Sequence, residues 1–451
     1  MGTAIDGTGT RLATLDPKDR IWEAVDALFE DQIEFLKALV RIPSQRGEER
    51  QAQDLMAETM SAMGLDVDRW IIDADAMKDH PGFSPASISY ADSWNVVGTH
   101  RPRDPVGRSL VLNGHIDVVP TGAEDRWRFG PYVPEVIDGW MFGRGAGDMK
   151  AGLSANVFAL KALARLGMQP AATVHLQSVV EEECTGNGAL ACVLRGYTAE
   201  AAFIPEPLAP KLLRGQVGPI WFRVEVPGAP NHASGDFERS ASAIDNAIEL
   251  IRALPELEEQ WNARKTLYPP FENHPHPLNF NVGQIKGGEW TSSAPSSCTF
   301  EVRVAVFPGQ KPADACREFE DFVAAASGRN AYLAEHPPRV TYPGFMAEGY
   351  HLTGADAQEA VLRDCHRSVW REDLQEHAFA ATTDARFFGL YGDCPTLVYG
   401  PYCRSPHGFD EAVDLESLRK VTKTLAMFIA GWCGLEVASS DHAGTADASP
   451  V

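Results

Sequence analysis

Residues 111–120 read VLNGHIDVVP and residues 143–150 read GRGAGDMK. The apolar run at 110–112 has the pattern of a buried strand, and side chains two apart on a strand leave by the same face. His115 and Asp117 therefore emerge together at the strand's carboxyl end. Asp148 stands in a glycine-rich turn ahead of the Ala/Leu/Lys-rich stretch 149–163, which places it where a helix begins. Glycines around such a residue let the backbone approach a ligand closely. A neutral imidazole and carboxylates suit Zn²⁺ or a similar divalent ion, and an adjacent Asp can orient the ligating His. The same spacing also describes an ordinary histidine satisfied by its neighbour at a strand end, and these residues alone leave both readings open.

Working outward, strand, glycine turn and helix recur. Residues 172–180, ATVHLQSVV, read as a strand, EEECTGNG as a polar turn, ALACVLR as a helix, and AAFIPEP as a further strand ending on Glu206. Alternating strands and helices imply an α/β fold with a mainly parallel sheet flanked by helices, its ligand site at the carboxyl ends of the strands. Amphipathic helices are expected over 21–40 and 48–63, with strands at 67–72 and 95–98. After Gly215 the order becomes strand 221–226, helix 241–254, strands 278–285 and 298–306, helix 312–325 and strand 339–342. That is a βαββαβ, ferredoxin-like α+β unit. The expected division is a catalytic domain over 1–215, an inserted lid and dimerisation domain over 216–344, and the rest of the catalytic domain over 345–451. The last part carries a helix at 355–371, TTDARFFG, a strand at 396–399, GPYCRSPHGFDEAV and a closing helix from Leu415. Residues 1 to about 18 and the tail from Ala438 read as flexible arms.

Composition narrows the classes. With 451 residues, 44 % of them apolar, the chain can bury a large core. A net charge of −22 argues against nucleic acid or an anionic membrane as partner. The first twenty residues lack the apolar core of a secretory signal, and no apolar run reaches the roughly 20 residues of a membrane helix. Eight cysteines without CxxC pairs fit reduced thiols, and a cytoplasmic enzyme is expected. Cys184 and Cys403 lie beside the candidate site as small packing residues, His274 and His276 in ENHPHP read as a surface loop, and GRGAG lacks the Gly-Lys-Ser/Thr of a phosphate loop.

Three groups complete the constellation: Glu181, Glu182 and Glu183 after the strand at 172–180, Glu206 at its own strand end, and His407 in RSPHGFDE. With His115, Asp148 and the inserted unit in this order, nearly the whole chain resembles the acetylornithine deacetylase / succinyl-diaminopimelate desuccinylase / carboxypeptidase G family of dinuclear zinc hydrolases. The resemblance implies two divalent metal ions, zinc by expectation with cobalt or manganese as alternatives. It assigns His115 and Glu206 to one ion, Glu183 and His407 to the other, and Asp148 to both. By the same resemblance Asp117 orients His115 and Glu182 is the general base. His232, in VPGAPNHASGDFERSASAI, is delivered to a neighbouring subunit's active site, so a homodimer through the inserted domain is expected. Arg303 in FEVRVAVFP corresponds to the arginine that grips a substrate carboxylate, a task suited to a guanidinium fork. Where the family usually has an Asn before the Pro of the next segment, EWTSSAPSS offers Ser292 and Ser293. The implied activity is removal of an acyl group from a small N-acyl amino acid or related amide. A dipeptidase or carboxypeptidase, and a deformylase of an amine without a carboxylate, remain alternatives. A metal-binding protein that has lost its chemistry would lack a ligand or the base, and none is missing.

Overall fold

The computed structural model describes residues 17–234 and 241–438. The flexible arms expected at the two ends fall almost wholly outside these residues. The expected single helix over 21–40 is two, α1 (Pro17–Ala27) and α2 (Phe29–Arg41), separated at Leu28, where ψ is 2°. The apolar spacing runs through the bend, which is why the sequence reads as one helix. The bend turns α1 onto the closing helix while both halves rest on the helix at 150–165. Helix α3 (Arg50–Ala62) then leads into β1 (Asp66–Ile71) and β2 (Trp94–His100), followed by the short β3 (Leu110–Leu112). Helix α4 (Lys150–Arg165), β4 (Val174–Ser178), α5 (Asn187–Leu194) and β5 (Ala201–Ile204) complete the first stretch.

The main sheet has six strands. Its order is β1-β2-β4-β3-β5 and then β12 (Thr396–Val398), which returns from the last part of the chain. β4, β3, β5 and β12 run parallel to one another, whereas β1 and β2 add an antiparallel edge. The sequences of β3 (LVL) and β5 (AAFI) are buried at every position, as parallel strands covered on both faces require. Helix α4 is buried over nearly its whole length, and the closing helix α10 (Leu415–Cys433) packs against it. Two glycines let the backbone crowd the end of β5: a Cβ on Gly152 would sit 2.4 Å from the Pro205 carbonyl oxygen, and one on Gly400 would sit 2.0 Å from that of Glu206.

Between β6 (Leu212–Gln216) and the return to the main sheet lies a second apolar core, built on β7 (Gly218–Pro227), α6 (Ala243–Asn262), β8 (Asn281–Gly287), β9 (Ser297–Val306), α7 (Pro312–Ser327) and β10 (Arg339–Thr341). Its strand order, β8-β9-β7-β10 with every neighbour antiparallel, is that of a ferredoxin-like βαββαβ unit. Buried and half-open residues alternate along most of β7 and β9, which turns one sheet face to the helices and leaves the other open. The chain then returns through α8 (Asp356–Trp370), β11 (Glu376–Phe379) beside β6, and α9 (Ala385–Tyr391).

Candidate metal centre

His115 leaves the main sheet just after β3, held by a parallel bridge to Val179. Its Nδ1 donates to the backbone carbonyl of Asp117 at 2.9 Å, a partner that can only accept. The ring is therefore protonated at Nδ1, and in its neutral form turns the Nε2 lone pair inward. There it meets three carboxylates: Asp148 Oδ1 at 3.1 Å, Glu206 Oε1 at 3.7 Å and Glu182 Oε2 at 3.9 Å. The second oxygen of Asp148 points the other way, 3.4 Å from His407 Nε2, and His407 Nε2 lies 3.1 Å from Glu183 Oε2. One carboxylate thus stands between two imidazoles, each with its own further acids. His115, Glu182 and Glu206, and separately His115, Asp148 and Glu183, bring donor atoms within 4.8 Å of one another.

A lone pair facing a carboxylate requires a positive charge between them, either a proton or a metal ion. Burial disfavours the charged form of His115, but Asp148, Glu206, Asp117 and Glu182 outweigh it and hold its pKa well above the ordinary value. Burial likewise lifts Glu182 and Glu206 well above the carboxylate range, and Glu183, with Asp148, raises His407 to about 11. Asp148 is the exception. Burial would raise it, yet the two imidazoles hold it below the usual range. Glu183 Oε1 is buried with no hydrogen-bond partner among the described residues. Four carboxylates and two inward nitrogens fit a pair of hard or borderline divalent cations, whose four charges would match those of the acids.

The acidic triplet divides its work. Glu181, at φ +69°, turns away into Arg46, the Tyr90 hydroxyl (2.7 Å) and the Thr185 hydroxyl (2.9 Å). Glu182 and Glu183 face the cluster. Asp117 is placed behind them: its carboxylate accepts the N–H groups of Glu182 (3.3 Å) and Glu183 (3.1 Å), and lies 3.6 Å from His115 Nδ1. Asp117 thus touches His115 through its main chain and the acidic turn through its side chain. The spacing predicts the carboxylate on His115, whereas Nδ1 donates its hydrogen bond to the Asp117 carbonyl.

Other parts of the site escaped the sequence reading. The glycine turn at Asp148 is pinned by Glu411, whose Oε1 accepts the N–H groups of Gly147 and Asp148 (2.9 Å each) while Oε2 pairs with Arg144 at 2.6 Å. Both side chains of that pair are almost fully buried. Arg144 and Glu411 stand inside the two motifs that also carry Asp148 and His407, which was the available signal. Asp384, within TTDARFFG, has both carboxylate oxygens buried without a partner among the described residues, and burial pushes it up to about 7.

A cavity of about 770 Å³ opens from the cluster. Its floor is Asp148, Glu182, Glu183, Glu206 and His407, its sides include Trp221, Phe345, Phe379 and Tyr402, and Arg303 and Glu301 come from the open face of the inserted sheet. His407, in the left-handed region at φ +61°, keeps 55 % of its side chain exposed at this opening. Arg303 donates to the carbonyls of Asn279 (3.1 Å) and Ala380 (3.0 Å) and has no acid partner among the described residues; burial lowers its pKa to about 10. His232 lies outside this cavity. It is exposed in the inserted unit, with Nδ1 2.7 Å from the Ser234 hydroxyl. The departing segment lies against it, Ala233 N–H donating to the Ser292 carbonyl and Ala294 N–H to that of Asn231 (2.9 Å each).

The chain is similar over most of its length to known proteins. The chain is 29 % identical over 439 residues to the N-formyl-4-amino-5-aminomethyl-2-methylpyrimidine deformylase of Halalkalibacterium halodurans, covering 92 % of this chain and 97 % of that protein. It is 27 % identical over 427 residues to the protein of the same name from Bacillus subtilis, covering 90 % and 95 %. Among solved structures, the di-peptidase Dug1p from Saccharomyces cerevisiae superposes with a TM-score of 0.76 at 14 % identity, over 92 % of this chain and 98 % of that one, a likeness of fold. The profile of Peptidase family M20/M25/M40 matches residues 111–431, a span that contains all the residues of the cluster. The chain therefore belongs to Peptidase family M20/M25/M40 and is a metallohydrolase of that family.

Proposed function

We propose that this chain is a two-metal amidohydrolase that removes a small acyl group, formyl foremost, from an amide whose amine half is a flat nitrogen heteroaromatic. The observation that carries the metal chemistry is the Asp148 carboxylate, with one oxygen on the His115 side and the other on the His407 side. In this reading His115 and Glu206 hold one ion, Glu183 and His407 the other, and Asp148 both, as in the acetylornithine deacetylase branch that the motifs resemble. Imidazole and carboxylate donors suit zinc, with cobalt or manganese as alternatives. Bound ions supply Lewis acidity at the amide carbonyl and lower the pKa of water.

The remaining work falls to side chains. Glu182 takes the proton of the attacking water and passes it to the leaving nitrogen. Asp117 holds the Glu182–Glu183 turn in place from behind. A second copy of the chain, docked through the inserted domain, supplies His232 to the tetrahedral oxyanion, and closure of that domain excludes bulk water. Eight unpaired cysteines fit a reducing, cytoplasmic setting.

The amine half is read from two supports: both curated relatives are named for a pyrimidine formamide, and aromatic rings line the cavity. Arg303 favours a second reading. A cavity-lining guanidinium with no acid partner among the described residues would receive a substrate carboxylate, as in an N-acyl amino acid or a dipeptide. Hydrolysis of N-formyl, N-acetyl, N-succinyl and N-carbamoyl compounds, each with a heteroaromatic and an amino-acid amine half, separates these with zinc-, cobalt- and manganese-loaded protein. Highest kcat/KM on the heteroaromatic formamide is expected. Highest kcat/KM on an acyl amino acid would establish the second reading, and no hydrolysis of any of them by protein holding two metals would end both.

A further inference from the structure

The inserted sheet presents two cross-strand rows of side chains on its open face, and the rows differ in chemistry. In the first, Trp221, Arg303 and Asn281 stand opposite one another on β7, β9 and β8; in the second, Arg223, Glu301 and Gln284 do. All of these except Arg223 line the cavity. The second row exists because β8 is bulged, its register shifting between Val282 and Gln284. Unbroken pairing would set Gly283 against Glu301 and turn Gln284 toward the helices, and the extra residue re-aims the Gln284 side chain to the open face. Gln284 is exposed there, and its amide has no hydrogen-bond partner among the described residues. Glu301 accepts from both Nε (2.8 Å) and Nη2 (2.6 Å) of Arg223 on Oε1, which leaves Oε2 without a partner among the described residues. The Arg303 guanidinium can only donate, which suits a carboxylate. The Gln284 row instead combines a carboxylate oxygen with an amide that both donates and accepts.

We propose that Gln284 is a specificity-determining residue that reads the amino-bearing edge of the substrate's amine half, with Glu301 beside it. The inference rests on the heteroaromatic formamide reading above. On an amino-substituted pyrimidine the exocyclic amino group, a donor, adjoins a ring nitrogen, an acceptor. A carboxamide meets that pair with two parallel hydrogen bonds, as Asn and Gln side chains do on adenine. The second amino hydrogen goes to Oε2 of Glu301. Asn281 carries the same amide, but Arg303 opposite it has no acceptor for that hydrogen. A phenyl ring offers neither group, and a pyrimidine without the amino substituent offers only acceptors.

The test compares wild type, Gln284→Met and Gln284→Leu on the formamides of three amines: an aminomethyl, amino-substituted pyrimidine, the same pyrimidine without the amino group, and benzylamine. Metal content and melting temperature are measured for each protein, and the exposed position predicts both unchanged. Each variant, lacking the amide, is expected to raise KM for the aminopyrimidine formamide about tenfold, with kcat within about twofold. The rise should shrink to about threefold without the amino group and vanish on the benzylamine formamide. Equal rises on all three substrates, or no change on the aminopyrimidine, overturn the inference alone. A wild-type protein that leaves every formamide intact while cleaving acyl amino acids overturns the underlying reading and the inference with it.

Discussion

The floor and the roof of the cavity are built on opposite principles. On the floor nearly every charged side chain is held by another group: Asp148 by two imidazoles and by Glu411 through its backbone, the Glu182–Glu183 turn by Asp117, and Glu181 by Arg46, Tyr90 and Thr185. On the roof Arg303 is spare, whereas Glu301 beside it is paired with Arg223. Among the described residues Arg303 donates only to backbone carbonyls. Ligand geometry tolerates little error, so the floor is over-determined. Recognition needs donors and acceptors still free for a substrate, so the walls are left incomplete.

The comparison breaks most sharply at Glu182. Its conversion to Gln should lower turnover by about 10²–10⁴-fold on any substrate cleaved, while elemental analysis still finds the wild-type metal content, because a proton carrier is lost and no ligand is. Near wild-type turnover would remove Glu182 from its role. Glu411→Ala attacks the support of the floor. It strands the buried Arg144 charge and frees the Asp148 turn, with an expected loss of about 3–5 kcal/mol in denaturant unfolding. Metal affinity should fall by about 10–100-fold in chelator competition.

Arg303→Ala acts on the roof and should be selective. KM for acyl amino acids should rise by about tenfold or more with metal content intact, and constants for a neutral formamide should change little if the heteroaromatic reading holds. The smallest effect lies behind the floor. Burial pushes Glu49 up to about 8, against an unfolded value near 4.5. The folded chain therefore keeps a proton that the unfolded chain has lost between those values, and this contribution to stability is full below about pH 4.5 and disappears as pH rises to 8. Glu49→Gln should flatten that part of the melting-temperature profile by a few degrees, measured calorimetrically with metal content fixed.

Much of this molecule is legible along the chain. The apolar runs at 110–112 and 201–204, flanked by glycine turns and helical periodicity, announce parallel strands with a site at their ends, and the change of pattern after Gly215 announces a second unit. His115, Asp148 and Glu206 drew notice by standing at a strand end or in a glycine turn, and the full ligand set was what the family resemblance implied. The bend at Leu28 was not, since both halves share one apolar spacing and differ only in which helix they meet. Nor was the separation of Glu181 from its two neighbours, which depends on a left-handed backbone and on Arg46 arriving from 135 residues away.

Residue order by itself determined the fold class, because periodicity and turn chemistry act over a few residues, while the set of metal ligands was what the family resemblance implied. Tertiary structure alone decided which oxygen of Asp148 faces which histidine, that Asp117 serves the acidic turn and that Glu411 pins the glycine turn. Those are distances between segments far apart in the chain, and only packing sets them.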